Sequence, residues 1–387
     1  VTSITAAREK GRNEPRAIGV IAWGPIDSLS NGYFIRVYKL VEIFTSILKK
    51  PVVVIEYTEL PRDDFYSINV LDELHALRIN VPGNEKKCKF KFLKYIRLFM
   101  YQFINMFRLR YLFRYIDVLV IGGVLFTPSL ILVRIFRRNR RNRLVILADP
   151  HMLFFEREER RGRRLRSLLL RLIESFYMKN CNYVLSISYS MKNRIAESLA
   201  LNASRIIIVP HLLPEKISSN IKCGETASGE SLKIAFLGTY EADQNFEAAK
   251  FLITILPIVK RYSGRHVQLL LVGKISAERA DLLRRLAERL GVSSDVILTG
   301  YVSDPAKVLC EAKVLLAPMF TMSGVSTKML YYLRFRDKLI VASREAVEGL
   351  EHLVNKHGCV VVADGAIEFV RKLVEVIRHA EGACRER

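Results

Sequence analysis

The feature that most limits how this chain can fold is a series of short, wholly apolar, β-branched runs, each followed by a longer segment with helical periodicity. In the first half they are AIGVIAW (17–23), PVVVIEY (51–57), DVLVIGG (117–123), LVILAD (144–149), YVLSIS (183–188) and IIIVP (206–210), with a helix expected from about Tyr33 to Lys49. Strands wetted on one face alternate apolar and polar residues. These runs do not alternate, so both faces need cover, as in a parallel sheet between helices. The rhythm breaks at HLLPEKISSNIKCGETASGES, which is rich in Pro, Ser and Gly and reads as a linker.

Beyond it the rhythm restarts with KIAFLG (233–238), a helix from about Asn245 to Tyr262, VQLLLVG (267–273) and an Arg- and Leu-rich helix ending at Gly291. VILTG (296–300), VLLAPM (314–319), LIVAS (339–343) and GCVVV (358–362) complete the second series. A length of 387 residues exceeds one ordinary core and suits two. The expected division is an N-terminal tail (1–15), a Rossmann-like doubly wound α/β domain (16–211), a linker (212–231) and a second Rossmann-like domain (232–387). Ligands of such sheets bind beyond the carboxyl ends of the strands. The loops there are the places to search.

Charge narrows the partners. The net charge is +22, of which +17 falls in residues 1–231 and +5 in the remainder, so an anionic partner is expected on the first half. No acid interrupts Lys86 to Arg114, where Lys89, Lys91, Lys94, Arg97 and Arg108 interleave with aromatic residues. Such a helix can lie in a lipid interface with its apolar face in the acyl boundary and its cations on phosphates. Alternatively, its apolar face packs on the sheet and its cations are solvated. The basic clusters RIFRRNRRNR (134–143) and RRGRRLR (160–166) add to this half. The apolar stretch LFMYQFINMF (98–107) is about half the ~20 residues a spanning helix needs, so no transmembrane helix is expected. No nucleic-acid motif accompanies the charge, and nucleic acid is not an expected partner. Six scattered cysteines with no C-x-x-C pair and no secretory leader point to a reducing, cytosolic setting.

The segment SGVSTK (323–328) joins small hydroxyl residues and Gly324 to the first turn of an expected helix bearing Lys328. Backbone N–H groups and an ammonium could converge there on a diphosphate. Equally, the segment could be an ordinary capped helix with Lys328 in solvent. SLSNGYFIR (28–36) is a weaker case of the same kind: Gly32 permits close backbone approach and Arg36 follows one turn later. His151, just past a strand in ADPHMLFF, has an ordinary pKa near 6.5, suited either to moving a proton or to a plain loop position.

Several segments together resemble the family 4 (group 1) glycosyltransferases of the GT-B fold. They are FLGTYEADQNFEAAKFL (236–252), LLLVGK (269–274), VILTGYVSD (296–304), VLLAPM (314–319) and SGVSTKMLYYLRFRDKLIVASREAVEGLE (323–351). The resemblance implies two Rossmann-like domains facing a cleft, and retaining transfer of a sugar from a nucleotide-sugar co-substrate. Gly32, Arg36, Lys274, Ser323, Gly324, Ser326, Thr327, Lys328 and Tyr331 would bind the donor, and His151 would stand near the anomeric carbon. The family usually carries two glutamates eight positions apart, where this chain has Ser323 and Tyr331. An inactive glycan- or nucleotide-binding protein is therefore the alternative. With no D-x-D pair in the chain, transfer without a metal or other cofactor is expected. The acceptor is expected to be lipid-linked or a glycan, met at the inner face of the membrane by a peripherally bound cytoplasmic enzyme.

Overall fold

The computed structural model describes residues 17–28, 32–58, 67–82, 91–137, 144–160, 162–217, 219–223, 231–320 and 325–379. The chain forms two compact units, Val1–Pro214 and Glu215–Arg387.

The first unit runs β1 (Ile18–Trp23), α1 (Gly32–Glu42), β2 (Val52–Thr58), β3 (Ser67–Leu71), β4 (Ala76–Pro82), α2 (Lys91–Arg108) and β5 (Val118–Ile121). It continues α3 (Thr127–Arg137), β6 (Val145–Ala148), α4 (Phe154–Arg160), α5 (Arg164–Lys179), β7 (Tyr183–Ser186), α6 (Tyr189–Leu199) and β8 (Ile206–Ile208). The strands order as β3-β4-β2-β1-β5-β6-β7-β8. All neighbours are parallel except the β3–β4 hairpin, so the expected parallel sheet is mixed at one edge. This edge escaped the sequence reading because β3 is solvent-facing: Ile68 and Val70 are more than half exposed and sit among polar residues. The first helix also differs from expectation. Its α-helical part ends at Glu42 and continues as a π-helical turn, Ile43–Ile47.

Parallel crossovers are almost always right-handed. The step from β1 to β2 runs opposite to those into β5, β6, β7 and β8, so α1 covers one face of the sheet while α2, α3, α5 and α6 share the other. Contacts along that second layer agree. Gln102 on α2 donates to the Leu125 carbonyl beside α3, Arg134 on α3 to the Asn180 carbonyl after α5, and Arg171 on α5 to the Ser198 carbonyl of α6. Under α1, Val20, Val37, Val41, Val54 and Leu74 form the core with almost no exposure.

The second unit comprises β9 (Leu232–Leu237), α7 (Asp243–Ser263), β10 (Val267–Val272), α8 (Ala277–Arg289), β11 (Val296–Gly300), α9 (Pro305–Glu311) and β12 (Val314–Ala317). After these come α10 (Thr327–Tyr332), β13 (Leu339–Ser343), α11 (Arg344–Val347), α12 (Glu351–His357), β14 (Val360–Ala363) and α13 (Gly365–Arg378). The order is β11-β10-β9-β12-β13-β14, all parallel. Part of the expected linker belongs here. Ile221 N donates to the Arg334 carbonyl at 2.9 Å, and Arg334 Nε to the Ser219 carbonyl at 2.8 Å.

Cys223 and Cys310 are joined in a disulfide with Cα atoms 5.2 Å apart. This corrects the expectation of reduced thiols throughout. The two residues are 87 positions apart, and only the fold brings the segment before β9 onto α9. Cys181 is a buried free thiol, pushed up to about 12 by its burial.

Candidate functional site

In the second unit the strand order reverses between β9 and β12, and there a doubly wound sheet opens a crevice beyond its strand ends. β9 and β12 pair only through Ile234–Val314 and Ala235–Leu315, then part. The backbone N–H of Leu237, freed by that parting, donates to the hydroxyl of buried Tyr332 at 2.7 Å. Beyond the strand ends Gly273 takes φ +132, and a Cβ there would stand 2.1 Å from the Gly238 carbonyl oxygen. Only glycine allows these two loops so close.

Lys328 reaches into this crevice from the first turn of α10, whose N-cap is Ser326, its hydroxyl accepting from Met329 N. The Lys328 Nζ donates to Asn245 Oδ1 at 3.2 Å, lies 3.5 Å from Met319 Sδ and sits 3.5 Å above the centre of the Phe236 ring. No carboxylate pairs with it among the described residues. Burial therefore holds its ammonium well below the ordinary lysine pKa. An anion entering the crevice would oppose that shift.

Tyr331 stands one turn along α10, its hydroxyl pushed up by burial, with the Arg334 guanidinium 4.8 Å over its ring. Thr327 opens the helix. Lys274 is exposed at the end of β10, and its carbonyl accepts from Tyr240 N. Ser323 and Gly324 lie outside the described residues.

In the first unit the strand order reverses between β1 and β5. Tyr33 of α1 bridges the two strand ends, its hydroxyl accepting from Trp23 N at 2.9 Å and donating to the Gly122 carbonyl at 3.1 Å. Next to it lies a cluster of charged and imidazole groups. Arg36 is only 2% exposed; its Nη2 is 3.0 Å from Asp149 Oδ1, and its Nη1 donates to the carbonyls of Val209 and Pro210 at 2.7 and 2.8 Å. The guanidinium thus ties the ends of β6 and β8 to α1. Burial alone would raise the Asp149 carboxyl, but Arg36 and the neighbouring imidazoles outweigh it and hold it below the usual carboxylate value.

His151 Nε2 lies 3.7 Å from Asp149 Oδ2, with its ring edge-on to Tyr33 at 4.4 Å. Burial pulls its pKa down to about 4, with Asp149 opposing and Arg36 adding to the shift. It is neutral at pH 7, and its Nε2 is buried without a hydrogen-bond partner among the described residues. His211 was missed by the sequence reading. Its Nε2 donates to the Gly32 carbonyl at 3.1 Å, and burial, Arg36 and His151 pull it down to about 4 as well. A signal was available: Pro150-His151 and Pro210-His211 each follow directly on a strand run. Gly32 is thereby held at the start of α1, and residues 29–31 of its loop lie outside the described residues.

A family model described as Glycosyl transferases group 1 matches residues 231–379. The second unit is a group 1 glycosyltransferase domain. The crevice holding Lys328 lies wholly within it. No curated protein matches the chain in sequence. Among solved structures the chain resembles sucrose-phosphate synthase from Thermosynechococcus elongatus, with TM-score 0.71 and 14% identity over 95% of this chain and 91% of that one. It resembles the lipopolysaccharide outer core galactosyltransferase WaaB, with TM-score 0.59 and 14% identity over 96% of both chains. It also resembles HepE of Anabaena in complex with UDP, with TM-score 0.66 and 10% identity over 95% and 92%. At these identities the likeness is one of fold, and that fold is GT-B: one α/β unit with a mixed sheet before a group 1 domain with an all-parallel sheet.

Of the expected membrane-contact residues, Lys89 and the side chains of Lys91, Lys94 and Arg97 lie outside the described residues. Arg108 is exposed at the end of α2. None of the described helices is long and apolar enough to cross a membrane.

Proposed function

We propose that this protein is a glycosyltransferase that moves a sugar from a nucleotide-sugar donor to an acceptor hydroxyl. The observation that carries the reading is Lys328, a half-buried lysine without a carboxylate partner among the described residues, placed at the crevice of the group 1 domain. In the transfer the bond from the anomeric carbon to the diphosphate oxygen breaks and the acceptor oxygen bonds to that carbon. The acceptor's proton passes to a diphosphate oxygen or to solvent. Negative charge grows on the leaving diphosphate, so Lys328 binds more strongly as the bond breaks, which is the condition for lowering a barrier. Lys274, Ser326 and Thr327, with Ser323 and Gly324, complete the donor side of the proposal. HepE supports a nucleotide-sugar donor, since it has been solved with UDP and with UDP-glucose.

His151, neutral at pH 7, serves by hydrogen bonding to a sugar hydroxyl rather than as an imidazolium acid. Arg36 acts as a positioning residue that fixes Asp149 and thereby His151. Gly32 keeps the backbone at the start of α1 open to close approach. Retention of configuration and independence from divalent ions belong to the same proposal, with Lys328 meeting the diphosphate charge.

The acceptor is proposed to be lipid-linked or a glycan at the cytoplasmic membrane surface, reached through α2. On this helix the polar side chains Gln102 and Asn105 are buried, while Phe99, Met100, Phe103, Ile104 and Phe107 are 39 to 50% exposed. Apart from the buried Met106, that is the reverse of the usual arrangement of a soluble helix. The inactive-binder reading rests on Ser323 and Tyr331 standing where carboxylates are usual. Turnover of a panel of nucleotide-sugars with a membrane extract, in chelator and in magnesium, separates the readings. Transfer in chelator supports the proposal, and nucleotide binding without transfer supports the binder.

A further inference from the structure

Helix α5 repeats the inversion of α2 more strongly, and the sequence reading treated its neighbourhood only as a basic cluster. Leu165, Leu168, Leu169, Leu172, Ile173 and Phe176 recur at spacings of three, one, three, one and three along its outer side. Their exposures run from 46 to 74%. The side facing the protein carries polar groups beside the buried Tyr177 and Met178: Ser167 Oγ donates to the Phe155 carbonyl, and the buried Glu174 carboxylate accepts from the N–H groups of Phe154 and Phe155 at the start of α4. An ordinary surface helix turns its polar side, not a stripe of six large apolar residues, to the water. A contiguous apolar stripe of this kind marks an interaction site.

We infer that the exposed face of α5 is a second membrane-docking element, inserting its leucine stripe among the acyl chains of an anionic bilayer alongside α2. The inference rests on the membrane reading of α2 given above and extends it to a separate helix. Charge identifies the occupant. Arg163, Arg164, Arg166, Arg171 and Lys179 are all exposed beside the stripe, and no acid on α5 is exposed. Lipid phosphates answer that ring of cations. A second copy of the chain would instead press arginines against arginines, in a half carrying +17. The position also suits two-helix docking: α2, α3 and α5 share one face of the sheet, and Ile131 and Ile135 of α3 are 40 and 61% exposed between them. An interfacial helix buries its apolar face roughly 5–10 Å into the boundary while long cationic side chains reach the headgroups.

The test uses the full chain and vesicles of phosphatidylcholine, with and without phosphatidylglycerol. In Leu168→Ser/Leu172→Ser the substituted side chains are exposed, so the fold survives, as near-ultraviolet circular dichroism checks. The partition coefficient onto anionic vesicles should fall at least tenfold in this variant, and a Phe103→Ser/Phe107→Ser variant on α2 should show a separate loss. In Leu172→Trp, tryptophan emission should shift to the blue on vesicles and be quenched by brominated acyl chains. Unchanged partition together with unquenched emission overturns the inference. If the α2 variant alone loses binding, the α2 reading stands and the α5 inference fails. If neither variant loses binding, both fail. A wild type that sediments as a dimer, becoming monomeric in the α5 variant, would assign the stripe to a second copy and likewise overturn it.

Discussion

Arg36 and Asp149, separated by 113 residues, form an ion pair at 3.0 Å whose side chains are 2% and 1% exposed. The pair joins the helix after β1 to the loop after β6, and the same guanidinium takes up the carbonyls of Val209 and Pro210 after β8. One arginine thus ties two strand ends of the first unit to the helix that follows a third strand. Removing it leaves a buried carboxylate alone. Arg36→Leu should destabilise the unit by about 3–5 kcal/mol, and Arg36→Leu/Asp149→Leu by clearly less, because no charge is then stranded. Denaturant unfolding of both variants checks this. Equal losses would show the pair to be only one contact among many.

The buried histidines and Glu174 give opposed pH dependences. His151 and His211 have folded pKa values near 4 against about 6.5 unfolded. The unfolded state therefore binds more protons between those values, and stability is lost as pH falls from 6.5 toward 4. Glu174, pushed up to about 7 by burial, works the other way. Its contribution is present below about 4.5 and is lost as pH rises to 7. Between pH 4.5 and 6.5 these three groups leave a net excess of about one proton in the unfolded state, or a rise near 1.4 kcal/mol per pH unit. Glu174→Gln should steepen that rise and His211→Gln flatten it, as read from denaturant midpoints across the window.

The Cys223–Cys310 bridge closes a long loop around most of the group 1 domain's first half. On the chain-entropy view a loop of that length is worth about 4–5 kcal/mol. Cys223→Ser/Cys310→Ser should lower the unfolding temperature of the second unit without changing the first. Calorimetry resolves this if the two units melt separately. An unchanged second transition would remove the bridge from the account of stability.

Much of the architecture was legible because strands covered on both faces read as unbroken apolar runs. The strand within AIGVIAW ends at Trp23 as the run does, and those within KIAFLG and VLLAPM end one and two residues short of their runs. The β3–β4 edge was not legible, since one wetted face lets polar residues into the run. Lys328 stood out through its glycine- and hydroxyl-bearing loop, but its surroundings did not. Asn245, Phe236 and Met319 come from three different elements, and nothing in their local spacing says that they converge on one ammonium. Arg36 was noticed for its nearness to Gly32, yet its partners lie over 100 residues away, and a reading by local sequence cannot see them. The inverted faces of α2 and α5 were half legible: the periodicity shows amphipathic helices, but only the fold shows which side faces outward.

The central claim is that Lys328 awaits the donor's diphosphate. The most direct measurement is calorimetric titration of nucleoside diphosphates, UDP first, into the wild type and Lys328→Ala. The wild type is expected to bind. A folded Lys328→Ala should bind about 10- to 100-fold more weakly, roughly 1.4 to 2.7 kcal/mol. Equal affinity in the two proteins, or no binding of any nucleoside diphosphate by the wild type, would contradict the account.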